Sequence, residues 1–328
     1  MSGTTAADGR IAVVLMAYGT PRTRDQILPY YTDIRRGRVP TDQQLADLVA
    51  RYEAIAPDTD DVLSPLTLRT EAQRDALQAA LDAQAPGRYV VVLGMKHAAP
   101  MIEDAVQQVA AMGIDRIVGL VLAPHYSSYS IGQYIDRVAA AAQPLGITVA
   151  AIRSWATEPA FIQFLADDLS ARLSTMPADT KVLFTAHSLP QRIIDAGDPY
   201  PDELRSTAVA VAERVGLGEW SQWAIAWQSA GRTPEPWLGP DILQVIDELA
   251  ASEHHGSDGH HGSDGHHGMG VVVCACGFVA DHLEVLYDLD IEAAKRAAEQ
   301  GLTFDRTACV NDDAGVMAAL AARVIATS

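Results

Sequence analysis

Short apolar runs alternate along this chain with amphipathic helical patterns, and each run ends abruptly in polar or aromatic residues. The runs that predict buried strands lie at residues 11–17, 89–93, 117–123, 181–186, 223–226 and 270–276. The main helical patterns lie at residues 41–55, 70–84, 101–112, 131–143, 158–175, 201–215 and 241–253. Strands that alternate with helices form parallel sheets covered by helices. We therefore predict an α/β protein with doubly wound parallel sheets, whose ligands bind at the carboxyl ends of the strands.

The length of the chain predicts two domains. Its 328 residues exceed the roughly 250 to 300 residues at which single hydrophobic cores stop growing. We expect a first domain at residues 1–155 and a second at residues 156–313. The last helix, at residues 314–328, is able to pack back on the first domain.

Composition and charge exclude several classes of function. No apolar stretch approaches the ~20 residues of a membrane-spanning helix, and the N-terminus has neither the basic start nor the apolar stretch of a secretion signal. We therefore expect a cytoplasmic protein without an integral membrane segment. The net charge of −18 opposes nucleic-acid binding. No glycine-rich phosphate-binding pattern follows a predicted strand, so no nucleotide cofactor is expected.

Acidic residues recur at every fourth position after the last apolar run. Glu284, Asp288 and Glu292 are expected to share one helix face, where like charges repel by a few tenths of a kcal/mol per pair. Carboxylates bind hard divalent cations, and an imidazole can bind a metal ion or take a proton. His187 follows a strand of the same half of the chain. These residues predict a site that exchanges a metal ion for protons, although a histidine at a strand end can also be purely structural.

Aromatic and cationic residues also follow the predicted strands. Trp227 follows a strand of the second half, and Tyr18 and Tyr126 follow strands of the first half. Aromatic residues at strand ends suit a flat apolar ligand between two domains, although aromatic side chains are most often part of a core. Arg35 and Arg36 suit a small planar anion, with a solvated surface turn as the alternative.

Residues 253–268 form a low-complexity segment with paired histidines among Gly, Ser and Asp. Such a composition cannot build a core, and its imidazoles will bind transition metals weakly. The segment is either a tolerated surface insertion or a metal-collecting loop. The histidines that would provide an auxiliary metal site are His254, His255, His260, His261, His266 and His267.

Several separate motifs resemble those of the ferrochelatase family. They are AYGTP at 17–21, YYTDIRRG at 30–37, AHSLP at 186–190, PWLGP at 236–240 and GFVADHLEVLYD at 277–288. Agreement of several motifs in one order is far more specific than any single short pattern. The resemblance implies two Rossmann-like domains of the chelatase type, with four-stranded parallel sheets and a cleft between the domains. It also implies a lyase of haem biosynthesis that inserts Fe(II), as a substrate, into a porphyrin.

The resemblance also assigns roles to individual residues. His187 resembles the family's active-site histidine and Glu284 its partner carboxylate, so both are expected to be catalytic and to contact the metal ion. Asp288 and Glu292 resemble outer acidic residues at which family members bind a second divalent cation or pass protons. Tyr18 resembles the tyrosine that, in the coproporphyrin-using bacterial branch, lies on the porphyrin face opposite the histidine.

The porphyrin substrate carries carboxylates, so an acidic protein needs local cations to bind it. The residues expected to contact the substrate are Tyr18, Arg35, Arg36, Arg51, Ser64, Tyr126 and Trp227. The resemblance implies coproporphyrin III as the expected substrate, which would be converted to coproheme. Three alternatives stay open, namely protoporphyrin IX, another metal ion, and a non-catalytic carrier of haem or metal.

Further expectations concern clusters and partners. Cys274, Cys276 and Cys309 are fewer than the four thiolates that hold an iron–sulfur cluster, so no 2Fe–2S cluster is expected. An iron donor and other enzymes of the haem pathway are the expected protein partners.

Overall fold

The protein is represented by a computed structural model, which describes residues 9–56, 63–218, 222–231, 233–256 and 269–328, and only the backbone of 253–256. The chain divides into two compact units. The first unit comprises Met1–Trp155 and Val310–Ser328, and the second comprises Ala156–Cys309. Each unit contains one parallel four-stranded sheet. The α/β class and the parallel sheets predicted from the sequence are confirmed.

The elements found in the described ranges are as follows. The strands are β1 (Ile11–Ala17), β2 (Tyr89–Met95), β3 (Arg116–Val121), β4 (Thr148–Ile152), β5 (Thr180–His187), β6 (Trp223–Gln228), β7 (Gly270–Cys274) and β8 (Thr303–Arg306). The α-helices are α1 (Ile27–Ile34), α2 (Asp42–Ile55), α3 (Pro65–Gln84), α4 (Ile102–Ala111), α5 (Ile131–Ala142), α6 (Pro159–Leu173), α7 (Gln191–Asp195), α8 (Tyr200–Val215), α9 (Ile242–Gly256), α10 (Leu283–Leu286), α11 (Ala294–Glu299) and α12 (Ala314–Thr327).

The sheet of the first unit has the strand order β2-β1-β3-β4. Every residue of β1 is buried, because the strand is paired on both edges. Helices α4 and α5 pack on the sheet through an apolar cluster that includes Val106 and Val138. The final helix α12 belongs to this unit and packs against α3. The carboxyl end of β1 leads directly into Tyr18.

The sheet of the second unit repeats this topology with the order β6-β5-β7-β8. Its central strand β7 is apolar and buried throughout, and the middle of β5, at residues 182–186, is also buried. Helix α9 and the segment after β7 cover the sheet through residues such as Ile246 and Val285. In the register of β5 and β6, His187 pairs with Gln228. The sheet therefore fixes these two residues side by side at its carboxyl edge.

The acidic segment after β7 differs from the continuous α-helix that the four-residue spacing predicted. Helix α10 ends at Leu286, and a π-helical segment, Asp288–Ala293, joins it to α11. Within it the Glu292 amide donates to the Tyr287 carbonyl at 2.9 Å, a five-residue span. Because a π-helical turn contains an extra residue, the three carboxylates do not form a regular α-helical row. Such π-bulges occur frequently at functional sites.

No helix in the described part of the chain is long and apolar enough to span a membrane.

Candidate active site

His187 is the last residue of β5, and backbone groups fix its position. Its main-chain carbonyl accepts a hydrogen bond from the Tyr200 hydroxyl at 3.1 Å. Nδ1 of its ring faces the Ser188 carbonyl oxygen, so in the neutral ring Nδ1 carries the proton and Nε2 presents a lone pair. The indole of Trp237 lies beside the imidazole, with 6.3 Å between ring centroids. The imidazole is thus held with a basic nitrogen available.

Glu284 lies in α10 with its carboxylate beside this nitrogen. Oε1 of Glu284 is 3.7 Å from Nε2 of His187. The main-chain carbonyl of Glu284 accepts a hydrogen bond from Nε2 of Gln228 at 2.6 Å. Since Gln228 is the partner of His187 in the sheet, the same strand pair positions both members of the predicted catalytic pair.

His282 is a second imidazole at this carboxylate and was not among the predicted site residues. Its Nε2 is 3.7 Å from Oε2 of Glu284, and its Nδ1 lies 2.9 Å from the Ala280 carbonyl oxygen. It belongs to the motif at 277–288 and lies two positions before Glu284, which was the available signal. In the neutral rings, His187 and His282 both direct lone pairs at the carboxylate. This arrangement favours a proton or a metal cation between them.

The electrostatics of the pair favour an ionised Glu284. Burial alone raises the pKa of this carboxyl group. When the two rings are protonated, the charge of His187 and the hydrogen bond and charge of His282 outweigh burial and lower the pKa. About a third of each of the His187 and Glu284 side chains is exposed. A carboxylate beside a basic imidazole can accept protons or guide a cation.

The other two acidic residues differ in their surroundings. Asp288 is buried, and Oδ2 accepts a hydrogen bond from the Ser229 hydroxyl at 2.5 Å. Ser229 has a φ of 59°, which is uncommon for a residue with a side chain and is found at strained functional sites. Glu292 is half-buried in the π-helical segment. Within the described ranges, no three His, Cys, Asp or Glu side chains are arranged to hold a metal ion by themselves.

Trp227 does not present the exposed aromatic face expected of it. Its side chain is buried, and its ring packs on Tyr200 at 5.6 Å between centroids. Because the hydroxyl of Tyr200 binds the His187 carbonyl, Trp227 supports the histidine from behind. The half-buried ring beside the imidazole is that of Trp237.

In the first unit, Tyr18 lies at the carboxyl end of β1 with a side chain that is partly open to solvent. Its exposed fraction is 42%, and its ring packs on the imidazole of His97 at 4.6 Å between centroids. Nδ1 of His97 is in turn 2.6 Å from Oδ2 of Asp33. The backbone amide of His97 donates to the Tyr18 carbonyl at 3.0 Å. Tyr18 is thus held by His97, which follows β2 and is itself bound by Asp33 of α1.

Lys96, Arg36 and Arg137 form a group of cations in the first unit, and Lys96 and Arg137 were not predicted. Nζ of Lys96 donates to Oε1 of Gln133 at 2.8 Å, and the main-chain carbonyl of Lys96 accepts from Arg137 at 2.7 Å. Burial, and then the charges of Arg137 and Arg36, lower the pKa of Lys96 to about 8. The backbone of Arg36 has a φ of 55°. Lys96 follows an apolar strand, which is the sequence signal for it.

The other predicted substrate contacts in the first unit have structural partners. Arg35 and Arg38 each donate from Nε to the main-chain carbonyl of the other, at 3.1 and 3.3 Å. Ser64 is buried and caps α3, since its hydroxyl accepts from the Leu66 amide at 3.4 Å. The hydroxyl of Tyr126 accepts a hydrogen bond from Arg153. Half-buried Arg51 lies in α2.

The auxiliary metal site predicted in the His-rich segment lies outside the described residues. His260, His261, His266 and His267 belong to residues 257–268, and only the backbone of His254 and His255 is described, in α9.

Comparison with solved structures supports the fold. SirB from Bacillus subtilis, solved with Fe3+, is similar with a TM-score of 0.53 at 13% identity, over 97% of this chain and 95% of that one. CbiX, described as the terminal enzyme of siroheme biosynthesis in denitrifying bacteria, is similar with a TM-score of 0.51 at 13% identity, over 97% and 99% of the two chains. At such low identity these similarities establish the fold alone.

Comparison with known sequences identifies the family. A family model for ferrochelatase matches residues 10–328. The chain is 44% identical over 310 residues to a ferrochelatase of Herpetosiphon aurantiacus, and this match covers 93% of this chain and 94% of that protein. It is 42% identical over 319 residues to a coproporphyrin III ferrochelatase of Geobacillus kaustophilus, and this match covers 95% of this chain and 94% of that protein. The chain therefore belongs to the ferrochelatase family.

Proposed function

We propose that this protein is a lyase of haem biosynthesis that inserts Fe(II) into coproporphyrin III and releases two protons. The observation that carries the proposal is the pairing of the His187 imidazole with the Glu284 carboxylate at 3.7 Å. In the reaction, Fe(II) forms bonds to the four pyrrole nitrogens as two pyrrole N–H bonds break. His187 accepts the pyrrole protons through Nε2, and the ionised Glu284 stabilises the resulting imidazolium.

His282 would extend this pair outward. Its ring lies on the second oxygen of Glu284, so protons can leave His187 through the carboxylate to a further imidazole. Imidazole and carboxylate both suit Fe(II), so each of these groups would be able to supply a single ligand to the ion, with the porphyrin supplying others. We propose that Asp288 and Glu292 continue the route for protons or metal ions, and that a second divalent cation binds there.

The choice of coproporphyrin III rests on charge. This porphyrin carries four carboxylates, whereas protoporphyrin IX carries two. Arg36 and Lys96 place positive charge close together in the first unit of a chain whose net charge is −18, whereas the neighbouring Arg137 is paired with Glu103 at 2.6 Å. Charge-assisted hydrogen bonds from cations such as Arg36 and Lys96 bind carboxylates strongly. Several similar relatives are named coproporphyrin III ferrochelatases. Both observations favour the more highly charged substrate.

Further roles are proposed for the first unit. Tyr18 would contact the porphyrin or its iron through its exposed phenol, and Arg35 and Arg51 would help to bind carboxylates. Ser64 and Tyr126 would contact the substrate from more buried positions. We also propose that no 2Fe–2S cluster is present, since the chain has only three cysteines and all three are buried. The iron donor, the partner enzymes, a cytoplasmic location and the role of the His-rich segment stay predictions.

An anaerobic metallation assay tests the proposal. The purified protein is supplied with Fe(II) and either coproporphyrin III or protoporphyrin IX, and the absorption of the metalloporphyrin is followed. We expect a kcat/KM at least about tenfold higher with coproporphyrin III, since one lost charge-assisted contact alone costs about 1.5 kcal/mol or more. Equal values would contradict the substrate assignment, and no metallation of either porphyrin would contradict the family activity in this chain.

A further inference from the structure

Arg306 is a half-buried cation that joins two carboxylates of the segment carrying the site. It is the last residue of β8, and its side chain is 16% exposed. Its Nε and Nη2 bind Oδ1 and Oδ2 of Asp290 at 2.5 and 2.8 Å. Nη2 also lies 3.5 Å from Oδ1 of Asp281. Nη1 donates to the Thr307 carbonyl at 3.0 Å, so the guanidinium is fixed in its plane.

The two carboxylates flank the catalytic segment on both sides. Asp281 directly precedes His282, at the end of a stretch between β7 and α10 without regular secondary structure. Asp290 lies within the π-helical segment, two residues after Asp288. The residues between them include Glu284. The guanidinium makes two hydrogen bonds to Asp290 and lies 3.5 Å from Asp281, so it links the residue before His282 to the π-helical segment and restricts their relative movement.

We propose that Arg306 is a positioning residue that holds the imidazole of His282 against the carboxylate of Glu284. It touches neither reacting group and acts through Asp281 and Asp290. This inference rests on the proposed function, because the value of the arrangement lies in the geometry of proton and metal transfer. Misplacement of a catalytic group by about 1 Å can cost about 100-fold in rate.

A purely structural role is the competing explanation, because removing one partner of a buried ion pair destabilises the folded protein by leaving the other charge unpaired. The neighbouring residue on β8 offers a matched control. Asp305 accepts from Arg172 of α6 at 2.9 Å and, as an adjacent residue on a strand, projects to the opposite face. Arg172→Gln therefore removes a partly buried ion pair from the same strand, and the partners of Arg172, Asp168 and Asp305, lie outside residues 281–290. Oδ1 of Asp305 also accepts from the Arg306 backbone amide at 2.8 Å, a bond that this substitution leaves in place.

The kinetic test compares Arg306→Gln, Arg306→Lys and Arg172→Gln as full-length proteins, with Fe(II) and coproporphyrin III. We expect Arg306→Gln to lower kcat at least about tenfold with a KM within about twofold of wild type. Arg306→Lys should recover part of the loss, and Arg172→Gln should lower Tm without lowering kcat. If kcat falls equally in Arg306→Gln and Arg172→Gln, or does not fall in Arg306→Gln, the proposal is overturned. Should Arg306→Gln not fold, Asp290→Asn removes the same bidentate pair and must reproduce the loss of kcat.

A readout without turnover separates this inference from the proposed function. The ring nitrogen signals of His282, identified by their loss in His282→Gln, report its tautomer and surroundings in the protein without substrate. We expect them to move in Arg306→Gln and not in Arg172→Gln. If the His282 signals move in Arg306→Gln but the wild-type protein metallates no porphyrin, the positioning role is retained and the proposed function is rejected. Unmoved signals in Arg306→Gln would reject the positioning role, whatever the activity.

Discussion

Nε2 of His187 lies 3.7 Å from Oε1 of Glu284, although the two residues belong to different elements at the carboxyl edge of the second sheet. The pair is held from both sides, since Tyr200 binds the His187 backbone and Gln228 binds the Glu284 backbone. Because the supporting bonds reach main-chain carbonyls, either side chain can be replaced without removing them. Substitutions at the pair therefore probe chemistry rather than folding.

His187→Ala should abolish most of the metallation. The change removes the proton acceptor of the proposed reaction, and general acid–base groups typically contribute about 100- to 10,000-fold. We expect kcat with Fe(II) and coproporphyrin III to fall at least about 100-fold, while Tm changes little because the backbone hydrogen bond to Tyr200 is retained. A variant that metallates at the wild-type rate would show that His187 is not the acceptor.

The pKa of Glu284 should depend on His282. Burial raises this pKa, and His187 and His282 together lower it below its ordinary value, so His282→Gln removes part of the lowering and the pKa must rise. The carboxyl 13C signal of Glu284, assigned by its loss in Glu284→Gln, can be titrated in both proteins. The midpoint should lie at higher pH in His282→Gln. A midpoint that stays or moves to lower pH would contradict the arrangement of the three groups.

The sequence predicts the central strands of the two sheets better than the edge strands. It also predicts the central strands better than the residues that support the site. β1, β5 and β7 are continuous apolar runs, because both faces of a central parallel strand are buried. The edge strand β8, with the sequence TFDR, is short and half-exposed, so it leaves no such pattern. Glu284 could be found from its motif, whereas the link from Arg306 to Asp281 and Asp290 depends on folding and leaves no spacing to detect. The π-helical segment was missed because its spacing resembles that of an α-helix.

Lys96 should contribute to binding of the porphyrin carboxylates. Lys96→Gln removes one cation from the group that it forms with Arg36 and Arg137, and a hydrogen bond to a charged partner is worth about 1.5 to 3 kcal/mol. We expect KM for coproporphyrin III to rise about tenfold, with kcat less affected. Lys181→Gln is the matched control, since Lys181 lies near the start of β5, at the opposite end of its strand from His187. Equal KM values for the two variants would exclude a specific role of Lys96.

The charge of Lys96 should also lower the free energy of unfolding, by an amount that depends on pH. Burial and the neighbouring Arg137 and Arg36 lower its pKa to about 8 in the folded protein, from 10.5. Below pH 8 the amine is charged in both the folded and the unfolded state, so the folded state bears the full free-energy cost of burying the charge. This cost disappears as pH rises from about 8 to 10.5. Lys96→Met should thus raise the free energy of unfolding more at pH 7 than at pH 10. Urea unfolding at both pH values measures this, and a gain that grows with pH would contradict it.

Gly277→Ala should damage the site through the backbone. A Cβ at Gly277 would lie 2.3 Å from Cβ and 2.5 Å from Cα of Ala186, the residue before His187. The Gly277 amide also donates to the Thr185 carbonyl at 2.9 Å, so the segment cannot move away without losing this bond. Overpacking of this kind costs about 1 to 3 kcal/mol, and we expect a lower Tm together with a lower kcat. Gly301→Ala is a control for the loss of a glycine, since its Cβ would meet no atom within 4 Å and only its φ of 76° is strained. If Gly277→Ala loses Tm but keeps the wild-type kcat, the close approach of this segment to β5 serves stability alone.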